Sequence, residues 1–189
     1  MDFARPFARP GLMKLDGCSL RPLGLEDFEL VRPVLHAVPP ALFQVPQVEA
    51  GYRHFLGRLS KLPWSLPCAC FADARLIGLC FMQVGQLRNL SAYLVAAFAE
   101  ADEAGVALAL YVRHAFWTYP LNKLYTHVPD HPASRPYAAT LTNSGFQQEG
   151  KLVAHVTAGD QAHDALLFGL LRKDFETWSA RHEPRLLLS

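Results

Sequence analysis

Nowhere does this 189-residue chain hold the about 20 consecutive apolar residues of a bilayer-crossing helix, which excludes a helical membrane span. Met1 to Gly11 carries Arg5 and Arg9 but no apolar stretch of signal-peptide length, so the sequence reads as a soluble, cytoplasmic protein. An excess of one charge is missing too. Lys and Arg number 18 against 17 Asp and Glu, a formal net charge of +1, so no global field draws the chain toward nucleic acid or an anionic surface. Cysteine is sparse: Cys18, Cys68, Cys70 and Cys80 lack the paired spacing of a zinc site, and Cys68-Ala-Cys70 puts two thiols on one face of a strand with no second pair nearby. Buried free thiols and no metal are expected. The middle strands also hold no carboxylate placed as a general base; their polar residues are Gln83, Arg88 and Asn89.

Apolar residues make up 51% of the chain and charged ones 19%, enough for one sizeable core and too short for two comfortable domains. Cys18 to Leu23 reads as a first strand, and a helix opens at Gly24-Leu-Glu-Asp with acids in its first turn. The stretch from Val38 to Leu66, with Pro67 just past it, is rich in proline (Pro39, Pro40, Pro46, Pro63) around a helical segment from Val48 to Leu62. That stretch reads as a variable cap whose Phe43, Tyr52, Phe55 and Trp64 suggest an apolar acceptor pocket. Pro67 to Ala72 and Leu76 to Val84 form a hairpin about Asp73-Ala-Arg75, and Asn89 to Val95 is the next strand. Glu103 to Thr118 is a helix, Leu124 to Val128 a strand, His131 to Asn143 a helix ending before Gly145, and Ala165 to Leu171 closes the sheet. The order is mixed α/β with no internal repeat.

Ser144-Gly-Phe-Gln-Gln-Glu-Gly-Lys-Leu, His155, Gly159-Asp160, and His163-Asp164 ahead of Leu166-Leu-Phe-Gly-Leu-Leu-Arg form an ordered set of pieces. With Leu20-Arg-Pro-Leu and Arg75-Leu-Ile-Gly-Leu upstream, the set resembles the GNAT family of N-acetyltransferases, in its branch acting on ribosomal proteins and small molecules. The resemblance covers residues 15–178, leaving a tail at 1–14 and another at 179–189. It implies a mixed, mostly antiparallel sheet with helices on both faces, whose fourth strand, Ser91 to Val95, and fifth, Leu124 to Val128, splay apart to admit a pantetheine arm. Acetyl-CoA or another acyl-CoA is the implied donor, with Tyr93, Leu94 and Val95 along its arm and the Leu94 or Val95 amide polarising the thioester carbonyl.

The family's Arg/Gln-x-x-Gly-x-Gly/Ala segment lets backbone amides at a helix start wrap the pyrophosphate. Aligned without gaps, the chain sets Ala99, Glu100 and Asp102 over its key positions, and three carboxylates, Glu100, Asp102 and Glu103, stand where a polyanion should dock. Either these acids only favour the helix start, or the donor site has changed. A register shift that brings Gly105-Val106-Ala107 into the motif requires a shortened helix. The family's Asn-x-x-Ser is represented by His131 and Ser134, and its aromatic position four before Gly145 is Leu141; Tyr137, one helical turn earlier, stands either as the general acid or as a packing residue.

His131, Ser134 and Tyr137 are therefore the expected catalytic candidates, and Gly105 and Val106 join Tyr93 to Val95 on the donor side. Phe43, Tyr52, Asn89, His155 and His163 are the expected acceptor contacts. The reaction implied is direct attack of a primary amine, on a small molecule or peptide, upon an acyl thioester. The alternatives are an acyl carrier protein or aminoacyl-tRNA as donor, or a binding protein without catalysis. The apolar end Arg185-Leu-Leu-Leu-Ser189 leaves monomer and homodimer both open.

Overall fold

The structure, a computed structural model, describes residues 13–15, 17–37, 48–59, 61–62, 64–99, 101–158 and 161–182, with side chains described for all but 13–15, 85–87, 101–103, 158 and 182. Eight strands form one sheet: β1 (Met13–Leu15), β2 (Cys18–Pro22), β3 (Cys68–Ala72), β4 (Arg75–Gln86), β5 (Ser91–Phe98), β6 (Lys123–Pro129), β7 (Gln147–Ala158) and β8 (Gln161–Leu171). Their spatial order is β1-β2-β3-β4-β5-β6-β8-β7. Five helices, α1 (Phe28–Ala37), α2 (Glu49–Leu59), α3 (Ala101–Thr118), α4 (Arg135–Asn143) and α5 (Arg172–His182), complete the described fold. Neighbouring strands are antiparallel, except that β5 and β6 run parallel. A parallel pair needs a long crossover, and α3 supplies it. The mixed sheet agrees with the architecture read from the sequence.

Two cores lie on opposite faces of this sheet. On one face α3 lays down Ala107, Leu108, Tyr111, Val112, Ala115 and Phe116 against Leu20, Cys70, Met82, Leu94 and Leu124. On the other, α1 and α2 cover Leu79, Phe81 and Ala97 with Val31, Val34, Leu35, Tyr52 and Leu56. Period-2 alternation explains the division, since Ala92, Leu94 and Ala96 of β5 point to the first core and Ala97 to the second. The β3–β4 connection is two residues long, and both Asp73 (φ 44°) and Ala74 (φ 71°) take the left-handed region that suits a tight hairpin to strand twist.

Several boundaries differ from the sequence reading. β1 precedes the expected first strand, so the expected fourth and fifth strands are β5 and β6. Asn89 belongs to a 3-10 turn, Leu87–Asn89, followed by Leu90 at φ 49°, and the strand starts at Ser91. The expected helix from His131 begins as a 3-10 turn at Pro132–Ser134 and becomes α-helical only at Arg135, because Pro132 and Pro136 remove amides from the first turns. The first helix begins at Phe28 rather than Gly24, since Asp27 accepts from the Gly24 amide at 2.8 Å and holds a turn there.

The apolar pocket expected from the proline-rich segment is not formed by the residues named for it. Tyr52 is 1% exposed, tilts against Phe28 at 5.4 Å and donates to the Gly24 carbonyl at 3.5 Å. Phe55 meets Phe81 edge-on at 5.2 Å, while Trp64 packs on Tyr119 at 5.8 Å in the opposite core. Apolar composition there serves two cores rather than one cavity. Phe43 lies outside the described residues.

Candidate active site

The parallel ladder joining β5 to β6 is short. It pairs Ser91 with Lys123, Ala92 with Leu124 and Tyr93 with Tyr125, then stops. Beyond that point β5 continues against β4 from Leu94 to Phe98, and β6 continues against β8 from Thr126 to Pro129. The two strands thus part as a fork, as the sequence reading expects of these segments. Peptide groups on the inner edges of a fork have no ladder partner across it. The Ala99 amide donates to Ile77 at 2.9 Å, toward β4, so alternation turns the Val95 and Ala97 amides the same way. The Leu94 and Ala96 amides therefore face the fork: Leu94 at its apex, Ala96 one pleat inside. Of the two amides expected from the sequence, Leu94 and Val95, the backbone direction favours Leu94.

Side chains reach this fork from both faces of the sheet. Tyr93, Tyr125 and His127 share one face: the Tyr93 ring stacks on His127 at 5.1 Å and tilts toward Tyr125 at 5.6 Å. The Tyr93 hydroxyl is 3.3 Å from His127 Nε2. His155 meets the His127 ring edge-on at 4.7 Å. From the other face comes Tyr137 of α4, partly buried against the larger core. Thr126 of β6, 2% exposed, hydrogen-bonds with both Tyr93 and Tyr137, so it stands between the two faces. Burial raises the Tyr93 phenol to about 12 against the opposing pull of its hydrogen bonds, and burial pushes the Tyr137 phenol up as well. Burial, then repulsion from His155, lowers the His127 imidazole below its ordinary value. All three rings are held neutral near pH 7.

A clasp of charges fixes His155 in place. β7 breaks register between Leu152 and Val156, and within the break Ala154 takes φ 50° and donates its amide to Asp164 at 2.9 Å. Lys151 then spans Asp164 and Asp130, each at 2.9 Å. The Ala154 amide and the Lys151 ammonium together hold the Asp164 carboxyl below the usual carboxylate range. Such a bulge re-aims the side chains within it. It is what brings an exposed His155 from the sheet's outermost strand over His127.

The remaining candidates fall elsewhere. His131 accepts from the Ala133 amide at 3.2 Å through Nδ1 and caps the 3-10 turn; its ring lies edge-on to His163 at 6.0 Å. Ser134 is buried and makes no side-chain cap. Asn89 is exposed on its turn. Gly105 and Val106 lie inside α3, which starts at Ala101, so the Gly105 amide is already committed to the helix and the shortened-helix register does not occur. A Cβ at Gly105 would meet nothing within 4 Å, and Val106 is 39% exposed. Asp102 and Glu103 occupy the first turn of α3, while Glu100 lies outside the described residues, as do Gly159 and Asp160. The four cysteines are buried and free, and among the described residues no group of three His, Cys, Asp or Glu is placed to hold a metal.

Thr126 and His127 escape the sequence reading, although Leu124-Tyr-Thr-His-Val reads as a strand. Alternation alone sets Tyr125 and His127 on the face opposite Leu124 and Val128. What a single strand does not reveal is that Tyr93 and the β7 bulge come to the same face.

The arrangement fits an acyl thioester: a slot between parting strands, inner-edge amides for a carbonyl oxygen, and neutral phenols beside the place of a leaving sulfur. At the start of α3, by contrast, stand acids where the resemblance expects glycines. No protein-family model matches the sequence, and no curated protein matches it either. Solved structures do. Mycobacterium smegmatis RimJ in complex with CoA-disulfide matches with TM-score 0.73 at 19% identity, over 92% of this chain and 93% of that one. Mutant forms of the spermidine/spermine N-acetyltransferase SpeG from Vibrio cholerae match at 0.69 and 18%, over 86% and 98%. A probable acetyltransferase of the GNAT family from Chromobacterium violaceum matches at 0.69 and 16%, over 87% and 93%. At these identities the likeness is one of fold, and the fold is that of the GNAT acetyltransferases.

Proposed function

We propose that this protein is an N-acyltransferase that passes an acyl group, acetyl by default, from a thioester donor to a primary amine by direct attack in a ternary complex. One observation carries the reading: parallel β5 and β6 part immediately after Tyr93 and Tyr125, and the hydroxyls of Tyr93, Thr126 and Tyr137 gather where they part. An acyl-CoA lies with its thioester in this fork. The Leu94 and Ala96 amides face the carbonyl oxygen and stabilise the charge that develops there when the amine attacks. Tyr137, kept protonated by burial, supplies a proton to the sulfur as the carbon–sulfur bond breaks. The acceptor enters from the His127 and His155 side. Among the structural neighbours one is named for spermidine and spermine and one holds a CoA derivative, which supports an amine acceptor and an acyl-CoA donor here. The protein acts in the cytoplasm on this reading, and no helix among the described residues is long and apolar enough to cross a membrane.

A second reading keeps the chemistry and changes the donor. Acids in the first turn of α3 favour an acyl group presented by a carrier protein or an aminoacyl-tRNA, neither of which sets a pyrophosphate at that helix end. Calorimetric titration with acetyl-CoA separates the two, followed by assay of thiol release with spermidine and with a short peptide bearing a free N-terminus. Saturable 1:1 binding and amine-dependent thiol release are expected. Absence of both overturns the acyl-CoA reading and directs the same assay to carrier-bound and tRNA-bound acyl groups.

A further inference from the structure

We propose that His127, Tyr93, Thr126 and Tyr137 form a relay that threads the gap between β5 and β6 and returns the amine's proton to the leaving sulfur. The inference rests on the acyltransferase reading and deepens it. Conversion of an amine and a thioester to an amide and a thiol moves one proton from nitrogen to sulfur. The two atoms sit on opposite sides of the reacting carbon, and in this fold on opposite faces of the sheet. A continuous set of polar groups joins those faces. On the acceptor side the Tyr93 hydroxyl lies 3.3 Å from His127 Nε2. Thr126, buried at the fork, hydrogen-bonds with Tyr93 on one side and Tyr137 on the other. His127 faces the Tyr93 ring of β5, Tyr125 of its own strand and His155 of β7, with Leu167 its partner on β8. None of these four is a carboxylate, so the imidazole is the proton acceptor available on that face.

The step balances without a co-reactant. The amine nitrogen bonds to the carbonyl carbon, and the C=O π pair moves onto oxygen, opposite the Ala96 amide. Nδ1 of His127 takes a proton from nitrogen while Nε2–H gives its own to Tyr93. Tyr93 passes its proton to Thr126, Thr126 to Tyr137, and Tyr137 to sulfur as the carbon–sulfur bond breaks and its electron pair stays with sulfur. Each member ends with as many protons as it began. The direction requires the Nε2–H tautomer of His127 before turnover. Tyr93 and Thr126 act through their neighbours and position the proton path; His127 and Tyr137 face the reacting atoms.

The test compares Thr126→Val, Thr126→Ser and His127→Gln with the native protein, using acetyl-CoA with spermidine and with a free-N-terminus peptide as acceptors. Valine keeps the shape of threonine and removes the hydroxyl; serine keeps the hydroxyl. Thr126→Val is expected to lose about 10- to 100-fold in kcat with acetyl-CoA affinity unchanged, and His127→Gln about 100-fold or more, within the range of general acid–base catalysis. Thr126→Ser should retain most of the rate. Several protons in flight make the native rate curve with deuterium fraction, and Thr126→Val straightens that curve. Nitrogen-15 spectra of the free native protein should show His127 neutral at pH 7 with its proton on Nε2. Turnover by Thr126→Val within twofold of native, or equal losses in the Val and Ser variants, overturns the relay while leaving the transferase reading intact. Absence of acetyl-CoA binding and turnover in the native protein overturns both.

Discussion

Tyr137 illustrates how burial decides a residue's chemistry. A phenol out of water resists ionisation because the phenolate loses its hydration, and the neighbouring Cys80 and Tyr93 add to the rise while the Thr126 hydrogen bond opposes it. With the folded value above the ordinary tyrosine value of about 10, the protonated, donating form persists across the physiological range and beyond. Activity should therefore show no alkaline decline from this group below about pH 10. Replacing the hydroxyl in Tyr137→Phe leaves the ring packed and should reduce kcat by about 10²- to 10³-fold with little change in acetyl-CoA affinity, since a general acid acts in the transition state. Initial rates across pH, with calorimetry on the same variant, check both. A kcat within threefold of native returns Tyr137 to the role of a packing residue. Residue by residue, the sequence disclosed Tyr137 and His155 because each stands at or near a patterned position. It concealed Thr126 and His127, whose meaning depends on Tyr93 and the β7 bulge, brought near them only by the fold. His131 misled for a related reason: Asp130-His-Pro leaves a ring nitrogen free to cap the next turn, and in the structure it does.

At the scale of elements, most strands and helices were legible because the apolar periods are clear: alternation in Leu124 to Val128 and helical spacing from Ala104 to Phe116. Boundaries failed at proline and at positive φ. Pro132 and Pro136 delayed α4, and Leu90 with φ 49° moved the start of β5, features set by backbone geometry rather than by hydrophobic pattern. The start of α3 is the element on which donor choice turns. Acids in a first helical turn favour the helix by about 0.3–1 kcal/mol each. A carboxylate about 4 Å from a phosphate at an effective dielectric near 20 opposes binding by up to about 4 kcal/mol before screening. The second effect outweighs the first wherever the side chains turn toward the ligand. Glu100→Gln with Asp102→Asn removes two charges and keeps side-chain size, and is expected to tighten acetyl-CoA binding about tenfold or more, each tenfold being about 1.4 kcal/mol. Calorimetry at low salt measures this. Equal affinity in the two proteins shows that the acids point away from the phosphates and that the α3 end accepts acyl-CoA as it is.

The whole molecule constrains the donor in another way, through its charge. With 18 basic and 17 acidic side chains the chain has almost no net field, and near the site the described charges are largely paired, Lys151 with Asp130 and Asp164 and Lys123 with Glu149. An aminoacyl-tRNA donor brings a long run of phosphates, and a protein that neutralises about 6–10 of them loses about 10³- to 10⁵-fold in affinity between 50 and 200 mM salt. A thioester bound chiefly through its pantetheine arm and acyl group, inside a fork built from backbone amides and neutral phenols, has few charges to screen. Raising salt from 50 to 200 mM should then weaken acetyl-CoA binding by less than about tenfold, because it releases few counterions. Measuring the dissociation constant for acetyl-CoA and, in parallel, for a bulk aminoacyl-tRNA fraction over that range distinguishes the donors by slope. A shallow slope with acetyl-CoA and no measurable tRNA binding places recognition in the fork. A steep slope with tight tRNA binding at low salt would mean that a basic surface beyond the described site does the recognising, and the donor would be the tRNA-borne acyl group.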